Sequence, residues 1–272
     1  MCGRYILIQK AVVLEKRFGV VVPDTVKLVP SYNIAPGKLA PVITNDHPKE
    51  IQLFRFGLTP SWMTKTGFFI NARAEGDHNS DNNPLYNGAK GIITKPAFRK
   101  PIRSQRCLIP ADAFIEGPEK EKLDKPYVVY LQDKVRPFSF AGIWDCWKHP
   151  ESGELIYSFA IITTVANQLL QMIPHHRSPV ILHQGDEKLW LSDNVPLADI
   201  TRLLVPYPAE LMNAYPIAPT IKNPAVDDPG LIHPAGQRLV PETIIRSRTE
   251  SRITGMGSNK YYGFDDEHPM GI

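Results

Sequence analysis

The fold of this chain is constrained most by the alternation of short apolar runs with frequent prolines. The 272 residues include 26 prolines, about twice the usual share, and proline interrupts both helices and central strands. Between the prolines lie short runs rich in β-branched and aromatic residues, a pattern that favours β-strands. Several runs are apolar at successive positions, which indicates strands buried on both faces. The predicted strands cover residues 5–8, 51–56, 68–70, 127–131, 138–144, 156–163 and 180–183.

Helical signals are fewer, and each stands alone between strands. Gly19 is suited to end the first helix, two threonines precede the second, and Asp186 precedes the third and could cap it. Eight prolines between residues 206 and 241 exclude long regular structure there. Many strands with helices inserted singly predict an α+β fold. The predicted helices cover residues 12–18, 166–173, 187–191 and 197–205.

The composition excludes several classes of protein. Hydrophobic residues make up 43% and charged residues 22%, which is typical of a globular chain and not of a disordered one. The three cysteines, Cys2, Cys107 and Cys146, form no CxxC pair, so neither a disulfide scaffold nor a structural zinc site is expected. No apolar run is long enough to span a membrane, and the N-terminus lacks the apolar core of a signal peptide. We therefore expect a soluble, reduced, cytoplasmic protein with no bound metal and no membrane partner.

The second residue offers unusual chemistry. If Met1 is removed, as a small second residue normally permits, Cys2 becomes the N-terminus and carries an α-amine beside its thiol. An amine attacks an aldehyde to give a Schiff base, and the neighbouring thiol can then close a thiazolidine ring. Reference pKa values of about 7.7–8.0 for the amine and about 8.5 for the thiol make both partly nucleophilic near neutral pH. A cysteine at this position has no function in most proteins, so the other motifs decide its meaning.

Six sequence blocks follow one another in a fixed order. They are Cys-Gly-Arg at 2–4, Tyr-Asn-Ile-Ala-Pro-Gly at 32–37, Gly-Leu-Thr-Pro-Ser-Trp at 57–62, Asn-Ala-Arg-Ala-Glu at 71–75, Cys-Leu-Ile-Pro-Ala-Asp-Ala-Phe-Ile-Glu at 107–116 and His-His-Arg-Ser-Pro-Val-Ile-Leu at 175–182. In this order the blocks resemble the SOS response-associated peptidase (SRAP) family. The resemblance implies a single domain over 1–233, with a β-rich, mainly antiparallel, barrel-like core and a few flanking helices. A loosely held extension over 234–272 is expected after it, because the last residues are polar and acidic.

The resemblance also implies a covalent reaction with damaged DNA. Members of the family bind single-stranded DNA and couple their N-terminal cysteine to the ring-opened aldehyde of an abasic site, which shields the lesion. The residues carried over by the motifs are Cys2 as nucleophile, Asn71 to hold the sugar or the aldehyde, Glu116 to shuttle protons and His175 to assist ring opening. The implied DNA contacts are Arg4 and Arg73 with phosphates, and Pro36 and Trp62 as flat surfaces beside the strand. No cofactor and no metal are implied.

These residue types also suit the chemistry on physical grounds. Loss of water from the amine adduct needs a group that exchanges a proton near neutral pH. Glu116 would have a raised pKa if it is buried after its apolar run, and the reference pKa of histidine already lies in range for His175. Each residue also has a simpler interpretation: Glu116 as a solvated turn residue, His175 as a helix-end cap, Asn71 and Arg73 as a solvated strand face, and Trp62 as part of the core.

Charge is distributed unevenly along the chain. The formal net charge is only +3, which by itself does not indicate a nucleic-acid partner. Beside the SRAP-like blocks, an acid-free basic stretch predicts a DNA-binding face, although such a charge run is commonly a solvated loop. The stretch covers residues 82–111 and contains Lys90, Lys95, Arg99, Lys100, Arg103 and Arg106.

Three residues depart from the pattern of the family. Gly117 stands where an aromatic residue is usual, Gly76 where threonine is common, and Ser178 where methionine is frequent. All three adjoin the implied site without belonging to it. They therefore bear on the rate and on the fit to DNA more than on the type of reaction.

The first hypothesis is an abasic-site sensor that forms a thiazolidine crosslink, with a lyase-like activity and an autopeptidase activity that removes Met1. The alternatives are an N-terminal-nucleophile cysteine hydrolase and a non-covalent binder of modified DNA bases. We expect a monomer, since the protein would itself become the cap on the lesion. The protein would be cytoplasmic and associated with the nucleoid once crosslinked.

Overall fold

The structure is a computed structural model that describes residues 2–132 and 136–241. The helices are α1 Ala11–Phe18, α2 Pro101–Ser104, α3 Gln168–Met172, α4 Glu187–Leu191 and α5 Leu197–Arg202. The strands are β1 Tyr5–Leu7, β2 Ser31–Ile34, β3 Leu39–Thr44, β4 Gln52–Phe56, β5 Asn71–Arg73, β6 Arg106–Ala111, β7 Ala113–Glu116, β8 Tyr127–Leu131, β9 Phe138–Lys148, β10 Leu155–Val165, β11 Arg177–Pro179, β12 Ile181–Leu182 and β13 Met212–Pro216.

Five strands close into a small barrel. β10 pairs with β4, β4 with β3, β3 with β6 and β6 with β9, and β9 pairs back to β10. All of these pairs are antiparallel except β4 with β10. Closure satisfies the backbone groups that the edges of an open sheet would leave unpaired. The predicted barrel-like, mainly antiparallel core is therefore confirmed.

A second sheet carries the N-terminal strand. Its order is β13-β8-β7-β1-β2, and all of its pairs are antiparallel. β7 follows β6 after the single residue Asp112, so the chain passes directly from the barrel into this sheet. In β1, Tyr5 lies opposite Phe114, and the carbonyl of Arg4 accepts from Ile115 N at 2.9 Å. Because the strands are antiparallel, the residues before Tyr5 lie beside the residues that follow Phe114.

Aromatic side chains fill the barrel. The ring of Tyr5 meets the rings of Phe56 and Phe140 edge-on at centroid distances of 5.7 and 5.8 Å, and Phe56 stacks on Phe159 at 5.2 Å. These rings are fully buried, and burial of each stabilises the fold by about 1.5–3 kcal/mol. Cys2 belongs to the same apolar cluster. The N-terminal segment is therefore packed against the filled interior of the barrel.

Two predicted strands are wrong in position. The run 68–70 precedes β5, which begins at Asn71 and pairs in parallel with β10. The run 180–183 contains only the short strand β12, which pairs with β9, whereas β11 precedes the run and pairs with β10. Val180 lies between the two short strands, where its N–H donates to one neighbour and its carbonyl accepts from the other. β11 and β12 are separate strands because the chain changes its pairing partner from β10 to β9 at Val180, although the backbone stays extended there.

The helices lie where the sequence predicts them, but not every predicted capping residue forms a cap. α1 ends as predicted at Gly19, whose φ of 64° is a left-handed conformation that glycine adopts without strain. The cap of α3 is Asn167, whose side chain accepts from Leu170 N at 3.0 Å, while the two threonines predicted for this role lie inside β10. Asp186 precedes α4, but its side chain makes no capping bond. α5 ends earlier than predicted, at Arg202.

The segment that follows residue 233 begins along β13. Ala235 N donates to Pro216 O and Leu239 N donates to Ala214 O, both at 2.8 Å. The remainder of the predicted extension, 242–272, lies outside the described residues. In the part of the chain that the structure describes, no helix is long and apolar enough to cross a membrane.

Candidate active site

Cys2 is held in place by a side chain from β5. Only 1% of Cys2 is exposed, and its carbonyl oxygen accepts from Asn71 Nδ2 at 3.0 Å. Asn71 is the first residue of β5, which pairs with the barrel strand β10, so the barrel fixes the backbone of the predicted nucleophile. The second atom of this amide, Asn71 Oδ1, is buried and forms no hydrogen bond with the described residues.

Glu116 and His175 form a buried pair in the same region. Glu116 ends β7 and His175 precedes β11, and Oε2 of the carboxyl lies 3.3 Å from Nε2 of the imidazole. Burial raises the pKa of Glu116 to about 7 and lowers the pKa of His175 to about 3, so both shifts favour neutral side chains. The predicted burial effect on Glu116 is confirmed. The expectation that His175 titrates near neutral pH is wrong, because its surroundings penalise the imidazolium.

The tautomer of His175 follows from its second contact. Its Nδ1 lies 2.9 Å from the carbonyl oxygen of Gly117. A carbonyl oxygen only accepts hydrogen bonds, so Nδ1 of the neutral ring carries the proton and Nε2 is an acceptor. Nε2 therefore suits the protonated carboxyl of Glu116. This arrangement excludes the simpler interpretation of Glu116 as a solvated turn residue. The imidazole of His175 does not cap a helix, although the backbone N–H of His175 donates to Leu170 O in the last turn of α3 at 3.0 Å.

The Cys2 thiol is uncharged in these surroundings. Burial, followed by the nearby Glu116 carboxylate, raises the pKa of the thiol well above its usual value. A neutral thiol is a weak nucleophile, so an amine on the same residue would react first. Among the described residues, no group of three or more His, Cys, Asp or Glu side chains could hold a metal ion.

Gly117 has no room for a side chain. A Cβ at this position would lie 1.8 Å from the carbonyl oxygen of Lys122, because the loop 118–125 crosses directly over it. The same loop is fastened beside the buried histidine, since Glu119 N donates to Pro174 O at 3.1 Å. The backbone of this loop explains why position 117 is a glycine.

A second buried pair joins the strand of Asn71 to the strand that follows His175. Arg177 Nη2 lies 2.7 Å from Glu75 Oε2, and Thr164 Oγ1 donates to Glu75 Oε1 at 2.8 Å. Burial alone would raise the pKa of Glu75, but the Arg177 guanidinium brings it below its usual value. Sequence reasoning gave neither residue a role. The signal was present, since each lies in a conspicuous block, but their contact depends on which strands flank β10.

Comparison with known proteins places this site in a family. Residues 1–224 match the model described as SOS response associated peptidase (SRAP). The chain belongs to the SRAP family. The matched residues include the whole site formed by Cys2, Asn71, Glu116 and His175.

Relatives of this SRAP chain include proteins with a named activity. Abasic site processing protein YoqW of Bacillus subtilis (strain 168) is 36% identical over 242 residues, which cover 85% of this chain and 99% of that protein. Abasic site processing protein HMCES of Gallus gallus is 28% identical over 256 residues, which cover 83% of this chain and 72% of that protein. A crystal structure of a protein from Bacteroides thetaiotaomicron superposes with a TM-score of 0.71 at 31% identity, covering 86% of this chain and 100% of that one.

The DNA contacts expected of an SRAP chain differ in exposure. Trp62 is 62% exposed, so its interpretation as a core residue is wrong. Pro36 is half-buried. Arg4 and Arg73 are also half-buried and already bonded, since Arg4 Nη2 donates to a backbone carbonyl at 3.3 Å and Arg73 Nη2 donates to the Asn82 side chain at 2.8 Å.

The basic stretch of the SRAP chain divides into buried and exposed cations. Arg106 is wrong as a DNA contact, because it is 2% exposed and donates to the carbonyls of Trp190 and Ser192 at 2.7 Å each. The carboxylate of Asp193, 3.4 Å from Arg106 Nη2, matches its charge together with these carbonyls. The cations that lie exposed on the surface are Arg99, Lys100 and Arg103.

Proposed function

We propose that this protein is an abasic-site processing protein that binds single-stranded DNA and forms a covalent thiazolidine with the ring-opened aldehyde. Cys2, freed of Met1, is the proposed nucleophile. The observation that carries the proposal is the buried Glu116 carboxyl near Cys2, whose pKa of about 7 lets it give and take a proton at neutral pH. The names of the relatives YoqW and HMCES support abasic DNA as the substrate.

The reaction proceeds in two bond-forming steps. The neutral amine of Cys2 attacks the aldehyde carbon, and a proton moves from nitrogen to oxygen to give a carbinolamine. Glu116 in its acid form protonates the hydroxyl, which leaves as water, and the iminium and the Glu116 carboxylate remain. The thiol sulfur then adds to the iminium carbon while the S–H proton returns to the carboxylate. One water leaves overall, and Glu116 ends as it began.

The roles of the other residues follow from their contacts. Asn71 holds the carbonyl of Cys2, so the amine and the thiol start from a fixed backbone. With a pKa of about 3, His175 is a weak base, and we assign it to orient and retain the protonated carboxyl of Glu116. Ring opening of the sugar, first attributed to His175, then belongs to Glu116 as the group that exchanges protons near neutral pH.

Removal of Met1 uses the same groups in a second proposed activity. The Cys2 thiol attacks the carbonyl carbon of Met1, and its proton passes by way of Glu116 to the departing amine of Cys2. Water then hydrolyses the thioester and releases methionine. The nearness of Glu116 to the Cys2 thiol favours this candidate. Starting from purified protein that still carries Met1, intact mass should show loss of methionine in wild type and its retention in Cys2→Ser and in Glu116→Gln.

A denaturing gel tests the main proposal. The protein is incubated with a single-stranded oligonucleotide that carries one abasic site and is then heated in detergent. A shifted band that survives heating and disappears in Cys2→Ala is expected. No band with Met1-free protein would contradict the proposal, and binding without a heat-stable band would favour the non-covalent alternative.

A further inference from the structure

A basic pocket lies apart from the site of Cys2. It is a shallow depression of about 580 Å³, open to solvent, between residues 93 and 104. Its walls combine three cationic side chains with two hydroxyl groups, and no acidic side chain lines it. The lining residues are Ile93, Thr94, Arg99, Lys100, Arg103 and Ser104.

The cations of this pocket are not neutralised within the described residues. Arg99, Lys100 and Arg103 form no ion pair there, and the surrounding stretch 82–111 contains no aspartate or glutamate. Arg103 Nη1 donates to the carbonyl of Ile93 at 2.8 Å and also to the carbonyl of Arg99. These bonds fix one guanidinium in the wall of the pocket. Three cations held in one concavity favour an anion with several charges.

The pocket belongs to a different layer from the reactive cysteine. Ile92, Phe98 and Ile102 anchor its wall in an apolar cluster that includes Ala72 of β5. Cys2 lies in the separate cluster that fills the barrel. A ligand in the pocket therefore does not occupy the place of the reacting aldehyde.

The basic pocket lies a short distance along the chain from Lys90. Lys90 lies close enough to Glu75 and Arg177 to be influenced by both charges. Arg177 itself is buried and paired with Glu75, so it adds no exposed positive charge. Residue 93, whose carbonyl is bound by Arg103, lies at most about 11 Å from Lys90 along the chain. A positively charged path thus leads from the half-buried Lys90 to the basic pocket. Such a path suits a phosphodiester backbone, which carries a charge at every nucleotide.

We propose that the basic pocket is a second phosphate-binding surface, which holds the DNA backbone beyond the nucleotides that enter the reactive site. The proposal rests on the DNA-binding function proposed above and adds the place where a longer strand is held. The basic pocket would bind phosphates through charge, independently of the base sequence. Its contribution to DNA affinity therefore falls as the salt concentration rises.

Undamaged DNA of two lengths tests the proposal without any crosslinking. The affinities of the full-length protein for single strands of about 6 and about 24 nucleotides are measured against salt concentration. In Arg99→Gln/Lys100→Gln/Arg103→Gln, the salt slope for the long strand is expected to fall by about two, since each single-strand phosphate contact contributes about 0.7. The slope for the short strand is expected to stay unchanged.

Two further variants separate the effect of lost charge in the pocket from misfolding and from a general loss of surface charge. Arg99→Gln/Lys100→Gln spares Arg103 and its wall contacts, so it separates lost charge from misfolding, and its slope for the long strand is expected to fall by about one. Lys10→Gln/Lys16→Gln/Lys49→Gln removes the same amount of exposed charge from α1, the residue before it and the turn after β3; as the control, it should leave the slope for the long strand at the wild-type value. Equal slopes for wild type and the triple glutamine variant of the pocket on the long strand would overturn the proposal, as would equal losses on both strands. Failure of wild type to crosslink abasic DNA would instead count against the proposed function alone.

Discussion

His175 Nε2 lies 3.3 Å from Glu116 Oε2, and 5% and 4% of the two side chains are exposed. Burial disfavours the charged form of both side chains. It raises the pKa of the Glu116 carboxyl to about 7 and lowers the pKa of the His175 imidazole to about 3. The pair is thus a neutral acid held by a neutral imidazole, and not an ion pair. A proton that Glu116 holds in this way is available at the pH where the Cys2 amine is partly free, and several measurements depend on it.

The crosslinking rate should depend on pH in a bell shape. The rise follows deprotonation of the amine, with a reference pKa of about 7.7–8.0, and the fall follows ionisation of Glu116 near pH 7. Glu116→Gln should slow single-turnover crosslinking at least about 100-fold and remove the fall at high pH. Glu151→Gln, at an exposed position, is the matched control and should follow the wild-type profile. An unchanged profile in Glu116→Gln would remove this residue from the mechanism.

The free energy of unfolding should also depend on pH through the ionisation of Glu116. In the unfolded chain Glu116 titrates near its reference pKa of about 4.3, whereas the folded protein keeps the proton up to about 7. The folded state binds more protons between these values, so its contribution to stability is complete below about pH 4 and is lost as the pH rises through about 7. Relative to wild type, Glu116→Gln should gain up to about 3 kcal/mol in free energy of unfolding between pH 4 and pH 8. Urea unfolding at each pH measures it, and a difference independent of pH would contradict the buried acid.

Asn71 should affect the rate more than DNA affinity. Asn71→Ala removes the bond to the Cys2 carbonyl, and the loss of about 1 kcal/mol corresponds to a crosslinking rate about fivefold lower at saturating DNA. Asn194→Ala changes an exposed asparagine and should have no effect. If Asn71→Ala weakened DNA binding and left the rate at saturation unchanged, Asn71 would hold DNA and not Cys2.

The buried pair of Glu75 and Arg177 should show strong coupling. Glu75→Leu leaves the Arg177 guanidinium buried without its carboxylate partner, and the free energy of unfolding should fall by about 3–5 kcal/mol. The double variant Glu75→Leu/Arg177→Met removes both charges and should lose much less than the sum of the single changes. Additive losses in denaturant unfolding would show that the two side chains do not interact.

Gly117 should not tolerate a methyl group. Gly117→Ala places Cβ 1.8 Å from the Lys122 carbonyl, so the loop must move, at a cost of about 1–3 kcal/mol. Since the Gly117 carbonyl holds His175, crosslinking should slow as well. At Gly185 a Cβ meets nothing within 4 Å, and Gly185→Ala serves as the control. Equal stability of the two variants would contradict the close approach of the loop.

The sequence predicts local features of the site better than it predicts contacts between strands. The apolar run before Glu116 already indicated burial, and the raised pKa follows from it. The neutral state of His175 and the pairing of Glu75 with Arg177 depend on strands that meet only in the folded barrel. β5 is missed because Asn71–Arg73 has no β-branched residue, and its extended form comes from parallel pairing with β10. Arg106 is read as a surface cation because the Trp190 and Ser192 carbonyls and the Asp193 carboxylate, which bind it, lie far along the chain.

The mass of the DNA adduct tests the central claim most directly. Met1-free protein is mixed with a single-stranded abasic oligonucleotide, and the product is measured with and without borohydride. We predict an adduct equal to the sum of the reactants less one water, formed without reductant and located at Cys2 by peptide fragmentation. Cys2→Ala keeps the amine but lacks the thiol, so its adduct should survive only after borohydride reduction. A wild-type adduct at another residue, or one that requires reduction, would contradict the account.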